Sequence, residues 1–123
     1  MKYLCLVHCD PALFATLSPD ERRSLDEDSM AYDRELEKNG HFIAADVLAS
    51  ARSAKVVRVR DGKASHVDGP FAEVREQLCG FILIKARDLN VAIQLAGRIP
   101  MARHGSIEVR PIQSMDAAEG NAA

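Results

Sequence analysis

Gly80-Phe81-Ile82-Leu83-Ile84-Lys85-Ala86 decides the fold. In an extended chain successive side chains point to opposite faces, so Phe81 and Leu83 face one way and Ile82 and Ile84 the other. Both sides of this strand are therefore apolar. The same holds for residues 2–9, where Leu4 and Leu6 oppose Tyr3, Cys5 and Val7. Both strands need cover on two faces.

Ser18-Pro19-Asp20-Glu21 reads as a capping box with Pro at the first helical position, opening a helix that stops at Asn39-Gly40. Leu25, Ser29, Tyr32 and Leu36 form its buried stripe. Asp10 to Leu17 reads as a loop. Residues 41–48 read as the next strand. Lys55–Arg60 and Lys63–Val67 form a hairpin around Asp61-Gly62, a pair suited to a type I′ turn. That turn pairs Val59 with Ala64 and Val57 with His66, placing His66 on the less exposed valine face. Asp88 caps a second helix, from Leu89 to about Ile99, with a stripe of Leu89, Ile93 and Ala96. Residues 106–112 form the last strand, and residues 113–123, polar and aperiodic, are expected to be a disordered tail.

The order β-α-β-(hairpin)-β-α-β predicts an α+β fold: a ferredoxin-like split β-α-β with an inserted β-hairpin and an antiparallel sheet, in one domain spanning residues 1–112. Two helices cover only one face of such a sheet. A second copy packed sheet to sheet, forming a dimeric α+β barrel, would cover the other. A hairpin folded over that face of its own chain is the alternative.

Composition narrows the function. Net charge is −2, only 5% of residues are aromatic and Trp is absent, which argues against a nucleic-acid surface. No apolar run approaches the roughly 20 residues that cross a bilayer, and the three cysteines do not suggest a disulfide framework. The expected location is cytoplasmic. Cys5 and Cys9, on one face of a strand, would stand about 13 Å apart, too far for one zinc ion. No cofactor or metal motif is present.

Four histidines and several acids carry what chemistry there is. His8 and Asp10 share an i, i+2 spacing at the end of the first strand; together they could act as a general base, or simply satisfy a polar strand end. His66 and Asp68 repeat the spacing. Asp68 precedes Gly69-Pro70, a turn where an Asp side chain commonly bonds backbone amides two residues on, so a turn anchor and a second catalytic group are both open. Phe71 could plug the core or wall a pocket. Glu73 could reach that pocket or lie in solvent. His104 and Arg110 are candidate ligand anchors, although Arg110 could pair instead with Glu108.

Met1-Lys2-Tyr3-Leu4, Arg58-Val59-Arg60-Asp61-Gly62, Asp68-Gly69-Pro70-Phe71-Ala72-Glu73, Glu76 to Ile84 and Gly105 to Pro111 together resemble the YCII-related family, in its DGPF-motif branch, over about residues 1–112. The resemblance implies a dimeric ferredoxin-like barrel with a cleft. In some members that cleft holds a His–Asp pair, and one relative eliminates chloride from a chlorinated hydroxyquinone. It also implies association of some members with extracytoplasmic-function sigma factors. The helix at residues 18–39 contains no His, so the family's pair is not reproduced there. The expected function is binding of a small anionic or aromatic molecule in a dimer cleft, with cofactor-free elimination or isomerisation by proton transfer. His8 and Asp68 would be catalytic, and Asp10, His66, Phe71, Glu73, His104 and Arg110 would bind substrate. The alternatives are an accessory or sensor protein acting with a sigma factor, and a structural dimer without a pocket.

Overall fold

The computed structural model describes residues 1–71 and 74–114. Strand β1 (Lys2–Cys9) leads through a short helix α1 (Pro11–Phe14) to the long helix α2 (Pro19–Lys38) and strand β2 (Phe42–Val47). A 3₁₀ turn (Ala51–Ser53) precedes the hairpin β3 (Lys55–Arg60) and β4 (Lys63–Asp68). Strand β5 (Gln77–Lys85), helix α3 (Leu89–Gly97), a 3₁₀ turn (Pro100–Arg103) and strand β6 (Gly105–Pro111) complete the order. The tail expected at 113–123 lies, from residue 115 on, outside the described residues.

Four strands form one antiparallel sheet in the order β2-β5-β1-β6, the ferredoxin-like arrangement, with β1 and β5 central. The two strands apolar on both sides are thus the two inner ones. Tyr3, Cys5, Ile82 and Ile84 bury one face against Tyr32 and Leu36 of α2 and Ala92 and Ala96 of α3. The Tyr32 hydroxyl donates to the Leu95 carbonyl at 2.6 Å, tying the two helices together. Leu4, Leu6, Phe81 and Leu83 occupy the other face, half-buried, with no helix over them.

The capping box forms: Glu21 N–H donates to Ser18 Oγ at 3.1 Å, and Ser18 N–H to Glu21 Oε1 at 3.0 Å. Asp10 to Leu17 is not simply a loop. Asp10 accepts from Ala12 N–H at 2.9 Å with Pro11 next, enough local capping to start α1. In α3 the expected stripe holds only at Ala96, because Leu89 and Ile93 are exposed. The buried side is Ala92 and Ala96, flanked by Val91 and Leu95, because small side chains let the helix approach the sheet closely.

The hairpin has the expected register, Val59 opposite Ala64 and Val57 opposite His66, with positive φ at Asp61 and Gly62. It forms its own two-stranded sheet, apart from the four-stranded one. Val57, Val59 and Val67 are each at least 60% exposed, so the hairpin does not fold down over the uncovered sheet face.

Candidate functional site

The concavities among the described residues include two of about 500 Å³. One, about 500 Å³, lies between α2 and the segment after α3. Its charged groups are already paired: Arg98 with Glu35 at 2.5 Å and Arg103 with Asp28 at 3.1 Å, with Arg98 also over the Tyr32 ring. None of the residues singled out from the sequence lines it.

The other, about 530 Å³, opens at the end of the sheet where β1 finishes. Its walls come from three places: His8 on β1; residues 48–51 and 53–56, running from the end of β2 into the start of β3; and Pro70, Phe71, Val74 and residues 76–78, before and at the start of β5. Leu48, Val56, Phe71, Val74 and Leu78 make the lining largely apolar, with His8, Lys55 and Glu76 among its polar groups. An apolar cleft with a few convergent polar groups is the usual form of a small-molecule site.

His8 faces this cleft from the uncovered side of the sheet. Its Nε2 lies 3.2 Å from Glu108 Oε1 on β6, while the other Glu108 oxygen is 3.5 Å from Arg110. Strand register explains the cluster. Glu108 is opposite Leu6, Arg110 opposite Leu4 and Ser106 opposite His8, so all project to the same face. The Ser106 hydroxyl donates to Glu76 Oε1 at 3.2 Å, adding a second carboxylate at the cleft wall.

Close backbone packing sets this corner. β5 carries an irregularity opposite Val7 and His8, so that Val7 pairs with Gly80 and His8 with Leu78, leaving Cys79 as the extra residue. A side chain at Gly105 would run into the His8 carbonyl, and one at Gly80 would come within 2.9 Å of the Asp46 carbonyl oxygen.

Several expectations change. His8 does not pair with Asp10. The chain turns inward after Cys9, and Asp10 is buried, occupied by its cap to Ala12 and by Arg75 at 3.2 Å. Asp68 does not anchor the turn through amides: Pro70, two residues on, has no N–H, and Gly69 N–H goes to the Ala54 carbonyl at 2.8 Å. Asp68 is exposed instead and pairs with Lys55 at 2.5 Å across the hairpin base.

His66 is exposed on the hairpin, on the face opposite Val56, and does not line the cleft that Lys55 and Val56 reach from the start of β3. Phe71 does not plug the core. It is 79% exposed and walls the cleft, with the Arg58 guanidinium 5.9 Å from its ring centre. His104 is exposed before β6, outside the cleft lining; its neighbour Glu21 has a carboxyl held low chiefly by its hydrogen bonds with Ser18 and only lastly by His104. Arg110 pairs with Glu108. Glu73 lies outside the described residues.

Cys5 and Cys79 are poor nucleophiles. Burial pushes Cys5 up to about 11, and burial together with a hydrogen bond that the Cys79 thiol donates to the neighbouring Cys9 pushes Cys79 up to about 12. No group of three or more His, Cys, Asp or Glu among the described residues could hold a metal ion.

The family model for the YCII-related domain matches residues 1–116. An uncharacterized protein of Rhizobium meliloti (strain 1021) is 32% identical over 114 residues, covering 91% of this chain and 92% of that protein.

Proposed function

The chain belongs to the YCII-related family, and on that footing we propose that it is a homodimer binding a small aromatic or anionic molecule in the His8 cleft. Leu4, Leu6, Phe81 and Leu83 supply the reason for two copies, since an apolar sheet face without cover is a packing surface. A C₂ partner laid sheet to sheet would bury it.

The observation that carries the functional reading is the His8–Glu108 contact at the rim of a largely apolar cavity. With its proton on Nε2 donated to Glu108, the His8 ring keeps the Nδ1 lone pair for a substrate proton. Glu108 then stabilises the imidazolium that forms. A base so placed suits abstraction beside a carbonyl. The C–H electron pair becomes a new double bond, and a leaving group departs from the adjacent carbon with its own pair, or the proton returns elsewhere as an isomerisation. Apolar walls seat a ring, and Arg58 beside Phe71 offers a carboxylate a cation.

A thermal-shift screen with aromatic acids and lactones tests the reading, because a ligand that binds only the folded state raises the melting temperature. A compound that stabilises the wild type should lose that effect in His8→Ala at unchanged baseline stability. Equal shifts in both proteins would remove His8 from the site.

A further inference from the structure

We infer that Cys9 and Cys79 are a redox pair, which a peroxide closes into a disulfide directly behind the His8 cleft. The two thiols come from neighbouring strands, β1 and β5, at the irregularity that leaves Cys79 as the extra residue. There the Cys79 thiol donates a hydrogen bond to the Cys9 sulfur. Sulfurs already in contact need only side-chain rotation and a small approach to bond, and a bulge loosens the ladder where that approach must happen. Neither thiol belongs to the packed core that encloses Cys5. Cys9 is buried and Cys79 half-buried, so an oxidant reaches the pair from the Cys79 side. Cys5 does not compete, because it stands opposite Ile82, further along β5.

One peroxide molecule balances the step. The Cys9 sulfur, which accepts the hydrogen bond, attacks a peroxide oxygen as the thiolate. The O–O bond breaks, Cys9 becomes a sulfenic acid, and the hydroxide released takes up the proton that Cys9 gave. The Cys79 sulfur then attacks the Cys9 sulfur and the S–O bond breaks. The departing hydroxide removes the Cys79 proton, so the proton that Cys79 holds does not block the second attack. Two thiols lose two electrons and the peroxide is reduced to two waters.

The bond is felt in the cleft. His8 and Leu78, both in the lining, are paired across the two strands and immediately precede Cys9 and Cys79. The Cys79 carbonyl accepts from the N–H of Leu48, a third lining residue, at 2.9 Å. Gly80 is packed against the Asp46 carbonyl, so β5 gives way on the Leu78 side of the bulge. Closing the pair therefore moves the wall opposite His8.

The test treats the full-length protein with hydrogen peroxide, alkylates the remaining thiols and maps tryptic peptides by fragmentation mass spectrometry. The monomer mass should fall by two hydrogens, with residues 3–22 joined to residues 76–85. The first peptide holds both Cys5 and Cys9, and fragments between them should place the bond on Cys9. Dithiothreitol should release it, Cys5→Ala should keep it and Cys9→Ala should lose it. In NMR spectra the His8 ring signals should shift on oxidation and return on reduction. A link through Cys5, a link between chains, a link formed only in urea, or Cys79 oxidised to a sulfinic acid instead would overturn the pair. A Cys9–Cys79 bond that leaves the His8 signals unmoved would overturn its coupling to the cleft. These measurements use no cleft ligand, so they stand or fall separately from the functional reading above.

Discussion

Gly105→Ala should be severe although it touches no side chain of the cleft. A methyl at this position would collide with the His8 carbonyl oxygen and sit 3.2 Å from its carbon and 3.3 Å from Cys9 Cα. All three are backbone atoms, so no side chain can swing aside. Nor can β1 retreat, because β5 pairs with its other edge. The start of β6 must peel away instead, giving up the pairing of Gly105 with Cys9 and of Ser106 with His8, and the Ser106–Glu76 bond. At about 1 kcal/mol per hydrogen bond the loss is roughly 2–4 kcal/mol. For a domain of this size that lowers the melting temperature by about 6–16 °C. Urea denaturation measures it, with Gly97→Ala as the control: nothing lies within 4 Å of a methyl there, and removing a helical Gly should stabilise by about 0.5–1 kcal/mol. Ligand shifts in Gly105→Ala should fall too, because β6 carries Glu108, the partner of His8, away with it. Equal stability of the two alanine variants would refute the claim that close packing against β6 positions His8.

Stability should also fall at alkaline pH. The Cys5 thiol is raised from 9.0 to about 11 by burial, so the folded state holds this proton more tightly than the unfolded chain does. The resulting stabilisation is complete below pH 9 and lost as pH rises to about 11, at most roughly 2–3 kcal/mol. Cys5→Ala should flatten that part of a pH series of urea midpoints, and a slope unchanged from the wild type would contradict the assignment. Tyr32→Phe should cost about 1–3 kcal/mol by leaving the Leu95 carbonyl without its donor, read from the same urea titration; a loss near zero would mean that water replaces the hydroxyl.

Much of the fold was legible because its determinants are local or periodic. The Ser18–Glu21 box, the Asp61-Gly62 turn and the two-sided apolar pattern of β1 and β5 each depend on neighbours in the chain. The α3 stripe was misread because hydrophobicity alone ranks Leu89 and Ile93 above Ala92 and Ala96, whereas close packing favours the alanines. The site was legible only in part. His8 was visible as a polar residue ending an apolar strand, but its partner lies 100 residues away on β6 and is selected by register. Asp10, two residues away, is drawn off by the need to cap α1. The missing amide of Pro70 was available in the sequence and by itself removes the bond from Asp68 to an amide two residues on.

The cleft has a divided construction. His8 and Glu108 stand on the four-stranded sheet, while most of the wall belongs to residues 48–51 and 53–56 and to Pro70, Phe71, Val74 and residues 76–78, from the segments either side of the hairpin and the strand ends they join. Retooling the enclosure therefore need not disturb the His8–Glu108 pair to which we assign proton transfer. Two proteins with this scaffold could accept differently shaped guests while keeping the same reactive corner, and swapping the stretch from 48 to 78 between relatives would transplant selectivity as one cassette.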